Sequence, residues 1–179
     1  MISMDIIEER AEKILHDADA YRAPVPIQIV AQHLNLELEV LPLRDISGML
    51  IVRGDRGAIG YNSAHARIRQ RFTICHEIAH FALHAEHNEK PQLFIDQHVV
   101  YRTGEKASAK AECQQVEANR FGAALLMPKD LVQKEIRHRD LDLDDDEAIK
   151  FLAKQFWVSP MAIANRLLRL GIFMYPVGR

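Results

Sequence analysis

The stretch His76-Glu77-Ile78-Ala79-His80 constrains this chain more than any other. It lies inside an apolar helical pattern, with Phe72, Cys75, Ile78, Ala79, Ala82 and Leu83 forming a stripe at 3.6-residue spacing. A buried helix is expected there, and such a helix seldom places two histidines and a glutamate on or beside a packed face unless they have partners. Residues four apart lie about 40° apart around the axis, so both rings can reach one ion from one face. Neutral imidazole is a good zinc ligand. Glu77 projects elsewhere on the helix but stays near enough to take a proton from an attacking water, the general-base role of metalloproteases.

The rest of the composition narrows the alternatives. At 179 residues the chain suits one compact domain with a sizeable core. A share of 48% hydrophobic and 27% charged residues is ordinarily globular, and a net charge of −2 argues against a nonspecific polyanion binder. No secretory signal and no membrane-spanning run is read, so a cytoplasmic location is expected. Cys75 and Cys113 are too few for a disulfide framework. Cys75 directly precedes His76 and should point away from the His76/His80 face.

Along the chain, Ser3 is read as the cap of a helix running to about Asp19, followed by a break at Pro24-Val25-Pro26 and a short helix from Ile27 to Leu34, closed at Asn35. Leu36 to Leu41 alternates like a strand. Gly48–Val52 and Ala58–Tyr61 flank a turn and suggest a hairpin, so a small antiparallel sheet is expected. The pattern turns helical from Ala64 to about Ala85. Residues 87–107 read as an irregular excursion with short strands at Leu93–Ile95 and Val99–Tyr101. A helix follows from Ser108 or Ala109 to just before Pro128, then a continuation from Leu131 to His138. The acidic run from Leu141 to Glu147 lacks the glycine and distal ligand of a calcium loop and reads as a helix cap.

A catalytic zinc site needs a third protein ligand. The helix around 112–127 is placed to supply it. Its sequence, Glu112-Cys-Gln-Gln-Val-Glu-Ala-Asn-Arg-Phe-Gly-Ala-Ala-Leu-Leu-Met-Pro128, together with the His-Glu-x-x-His helix, resembles the ImmA/IrrE family of metallo-endopeptidases. Pro24-Val-Pro, Ser47-Gly-Met-Leu, Ile59-Gly-Tyr-Asn-Ser and Arg69-Gln-Arg-Phe-Thr-Ile extend the resemblance over roughly residues 20 to 135. It implies an α+β, zincin-like domain in which a small, mostly antiparallel sheet packs on the metal-site helix and the C-terminal half is helical. One domain over 1–179 is expected, with an N-terminal helix at 1–22, the core at 23–138 and a helical pair at 139–179.

One position departs from the family pattern. The third ligand there is the first residue of Glu-x-x-x-Asn, and this chain has Gln115 at that place, with Asn119 matching the Asn. Three candidates stand: Gln115 through its amide oxygen, Glu112 from the preceding turn, and Glu117 through a different register. Relative to Gln115, Glu112 is displaced by about 60° and Glu117 by about 160° around a helix. Asn119 is expected to hydrogen-bond a ligand histidine from behind. His84 continues the His76/His80 face and is read as a supporting or structural histidine, since three ligands along one straight helix would span about 12 Å.

The function implied is a Zn2+ endopeptidase that cleaves a specific protein, typically a helix-turn-helix repressor, in phage, mobile-element or stress regulation. A toxin-like partner of such a repressor or antitoxin is a related reading. Gln115 also motivates a binding module with an impaired site, while the retained Glu77 argues against it. Residues 149–171 resemble a helix-turn-helix, but only Arg166 and Arg169 charge its second helix, so packing on the core is favoured over direct DNA binding.

Overall fold

The computed structural model describes residues 1–96, 108–143 and 145–172. The predicted strand at Val99–Tyr101 lies outside the described residues, as does Asp144 of the acidic run.

Helix α1, Met4–Asp17, starts where the Ser3 hydroxyl accepts from the Ile6 amide, and it buries Ile7, Ala11 and Leu15. The short helix α2, Ile27–His33, is closed by Asn35 in the left-handed region at φ 55°. Strands β1 (Leu36–Leu41), β2 (Gly48–Arg53), β3 (Arg56–Asn62) and β4 (Gln92–Asp96) form one sheet in the order β1-β3-β2-β4. The β2–β3 hairpin turns at Gly54, whose φ of 62° favours glycine. The β2–β3 and β2–β4 pairs are antiparallel, as expected, but β1 runs parallel to β3, with Leu36 opposite Gly57 and Leu41 opposite Asn62. The sheet is therefore mixed. The alternation along β1 predicts a half-buried strand and is silent on direction, which the connection through β2 decides.

Helix α3, Arg67–Leu83, packs across this sheet and against α4, Ala109–Leu126, which Ser108 caps through its hydroxyl. Leu50, Val52 and Ile59 from the sheet meet Ile74 and Ile78 from α3 in one core, which continues through Phe121, Leu125 and Leu126 of α4. Two glycines bring these layers close. A Cβ on Gly48 would stand 2.4 Å from Thr73 Cγ2, and one on Gly122 would meet the α3 backbone at Cys75 and His76 at 3.3 Å. Helices α5 (Lys129–Arg139), α6 (Asp146–Phe156) and α7 (Pro160–Arg169) complete the helical C-terminal half. Asp145 and Ser159 cap the last two, so the acidic run acts at a helix start. Among the described residues, no helix is long and apolar enough to cross a membrane.

Candidate metal centre

His76, Glu77 and His80 sit in the buried part of α3, with relative exposures of 2%, 0% and 2%. The helix presents both imidazoles on one side, and their Nε2 atoms come within 3.2 Å of each other. Gln115 of α4 faces the same point. Its Oε1 is 3.0 Å from His76 Nε2, and its Nε2 is 3.3 Å from His80 Nε2. Glu77 lies under the sheet, where Gly48 leaves room: a Cβ there would be 3.0 Å from its Oε1.

The spacing of these donors can be compared with a zinc ion's demand. Tetrahedral zinc with bonds of about 2.1 Å to nitrogen holds its ligand atoms ~3.4 Å apart. Two separations come close to that spacing, 3.2 Å between the imidazole Nε2 atoms and 3.0 Å from the Gln115 oxygen to His76 Nε2, while the Gln115 amide nitrogen stands 3.3 Å from His80 Nε2. The chemistry of the donors agrees. Asn119 Oδ1 stands 3.1 Å from His76 Nδ1 and can accept its proton, which leaves a lone pair on Nε2 facing the Gln115 oxygen. Two lone pairs that close call for a proton or a cation between them. Among the described residues, no group of three His, Cys, Asp or Glu is placed to hold a metal ion, and the third donor facing the two imidazoles is an amide. The residues fit zinc as two imidazoles plus one neutral oxygen.

Of the three third-ligand candidates, the structure brings Gln115 to the histidines. Glu112 is exposed one turn earlier on α4. Glu117 is buried but turns to His84, whose Nε2 is 3.0 Å from its Oε2. His84 in turn places Nδ1 3.0 Å from His80 Nδ1. It is the residue that ends α3, at φ −123°, one turn beyond His80. Phe94 of β4 stacks on the His80 ring, with centroids 5.1 Å apart.

Electrostatics disfavour the charged form of His80. Burial, with His76 and His84 close by, pushes His80 down to about 3, which leaves its ring unprotonated and able to bind a metal. Burial also lowers His84, against the pull of Glu117. Burial would raise the Glu117 carboxyl, but the Ile2 amide and His84 together hold it below its ordinary value.

Sequence reasoning missed Glu117 as the partner of His84, and it missed Phe94. The first carried a signal, since Glu117 precedes a buried apolar run and an acid there needs a partner. The second came from a strand whose pairing the sequence did not fix. Arg166, read as one of two charges for a DNA-facing helix, is instead buried, donating to the Met127 carbonyl at 2.9 Å and forming a two-pronged ion pair with Glu8.

A cavity of about 450 Å³ opens beside this centre, between α3, α4 and α7. Ile68, Phe72, Ala123 and Met161 line it, and Asn119 forms part of its wall.

A search of curated proteins returned no significant match. The model of a peptidase family, described as the IrrE N-terminal-like domain, matches residues 27–168, a span that contains the sheet, both site helices and most of the C-terminal pair. With a metallopeptidase-like arrangement inside the matched span, this chain belongs to the IrrE N-terminal-like domain family.

Proposed function

We propose that the protein is a zinc-dependent endopeptidase acting on a specific regulatory protein, such as a helix-turn-helix repressor. One observation carries the reading: His76 Nε2, His80 Nε2 and the Gln115 amide converge within 3.3 Å, one residue from the buried carboxylate of Glu77. When bound, the metal supplies Lewis-acid polarisation of a peptide carbonyl. Glu77 takes a proton from the attacking water and returns it to the leaving amine. Asn119 and the His84–Glu117 pair orient the two imidazoles. The neighbouring cavity, where Phe72 and Met161 stand beside Arg69 and Arg169, offers room for a substrate side chain. The repressor as substrate rests on family resemblance.

The neutral amide at Gln115 favours a second reading, a regulatory or toxin-like module that keeps the fold, binds metal weakly and acts by protein contact. The two separate on one experiment. Zinc-loaded wild type and Glu77→Gln are each incubated with a proteome-derived peptide library, and the products are read by mass spectrometry. A peptidase gives cuts that vanish in Glu77→Gln while zinc stays bound. Cuts that persist in the variant overturn the mechanism, and no cuts with either protein support the binding module.

A further inference from the structure

We infer that Glu117, acting through His84, fixes the proton of His80 on Nδ1 and so turns the Nε2 lone pair toward the space shared with His76 and Gln115. Both are then positioning residues for the metal ligand His80, and the inference rests on reading that space as a metal site.

An ionised carboxylate can only accept, so the 3.0 Å contact from Glu117 Oε2 requires the proton of His84 on Nε2. A neutral His84 then has only a lone pair on Nδ1. His80 Nδ1 lies 3.0 Å away and must donate to it. With its proton committed there, His80 has its lone pair on Nε2, the atom 3.2 Å from His76 Nε2 and 3.3 Å from the Gln115 amide nitrogen. The tautomer of each ring is thus set by the hydrogen bond its other nitrogen makes. Burial protects the chain from competing water, since the side chains of His84 and Glu117 are 4% and 6% exposed. The second carboxylate oxygen is also committed, because Glu117 Oε1 accepts from the Ile2 amide.

The arrangement bears on the departure at Gln115. Two imidazoles and an amide bring no negative charge to a dication. A carboxylate coupled through histidine to a ligand raises that ligand's basicity. Glu117 therefore contributes at a distance some of what a carboxylate at position 115 would contribute directly.

Two variants test this with readouts that do not depend on activity. In Glu117→Gln the Ile2 amide still claims the oxygen, so the amide –NH2 faces His84 and reverses the donor order along the chain. In His84→Phe the acceptor for His80 is gone. Nitrogen-15 NMR of the histidine rings in metal-free full-length protein reads the tautomer, and a zinc titration against a chelator reads affinity. The expected result is an Nδ1–H tautomer for His80 in wild type, its conversion toward Nε2–H in both variants, and zinc affinity lower by about 10–100-fold. Glu117→Asp should recover part of the loss. The inference is overturned if His80 keeps its wild-type tautomer, or if both variants bind zinc as wild type does. If wild type shows the Nδ1–H tautomer but takes up no zinc, the hydrogen-bond chain stands and the metal reading fails.

Discussion

Oε1 of Gln115 lies 3.0 Å from Nε2 of His76, so the residue of α4 that meets the two-histidine motif does so with a neutral oxygen. An amide oxygen is a weaker zinc ligand than a carboxylate because it brings no charge. Gln115→Glu keeps the shape and adds that charge. A unit charge a few ångströms from a cation is worth several kcal/mol at an effective protein dielectric, less the cost of desolvating it. Zinc affinity should rise on the order of a hundredfold, measured by competition with a chromophoric chelator. Unchanged affinity would mean that position 115 does not meet the metal.

Gly122 sets how closely α4 approaches the motif helix. Its missing side chain leaves room for the α3 backbone, which an added Cβ would meet at 3.3 Å at both Cys75 and His76. Gly122→Ala gains about 1 kcal/mol of helix propensity and loses a similar amount to crowding, so the urea midpoint should barely move. Gly122→Leu cannot be accommodated without separating the helices, and it should lower both stability and zinc affinity.

Cys75 is fully buried behind His76, and burial pushes its thiol up to about 12 despite the nearby Arg71. At pH 8 a thiol reagent should modify Cys113, which is half-buried, and reach Cys75 only after denaturation. The folded-state value lies above the unfolded one of 9.0, so this contribution to stability is complete below pH 9 and falls as pH rises toward 12. A denaturation series at alkaline pH should show the decline, and Cys75→Ala should flatten it.

Arg166 joins α7 to α1 through Glu8, with one nitrogen 2.7 Å from Oε2, while its Nε holds the Met127 carbonyl. Removing one partner of such a pair leaves a buried group uncompensated, at a cost of about 3–5 kcal/mol. Arg166→Ala should lower the midpoint of urea unfolding accordingly. Glu8→Gln should also be costly although it keeps the hydrogen-bonding shape, since it leaves the buried Arg166 guanidinium without its counter-charge.

The sequence made the site helices legible because both carry strong local signals. Apolar spacing and the two histidines marked α3, while Ser108 and Pro128 bracketed α4. Gln115 stood out only against a family pattern, and the choice among Gln115, Glu112 and Glu117 turns on how α4 rotates against α3. That rotation is set by packing at Gly122, which a helical-wheel argument does not contain. The parallel pairing of β1 was similarly hidden, since alternation reports burial and not direction. His84 carried a spacing signal, but its partner Glu117 lies 33 residues away on another helix.

The most direct test of the metal centre is zinc content and affinity of the purified protein, compared with His76→Ala and His80→Ala. The convergence of the three donors predicts close to one zinc per chain in wild type and loss of that zinc in both variants, with the fold retained by circular dichroism. Wild type that takes up no zinc at saturating metal, or zinc retained when both histidines are replaced, would contradict it.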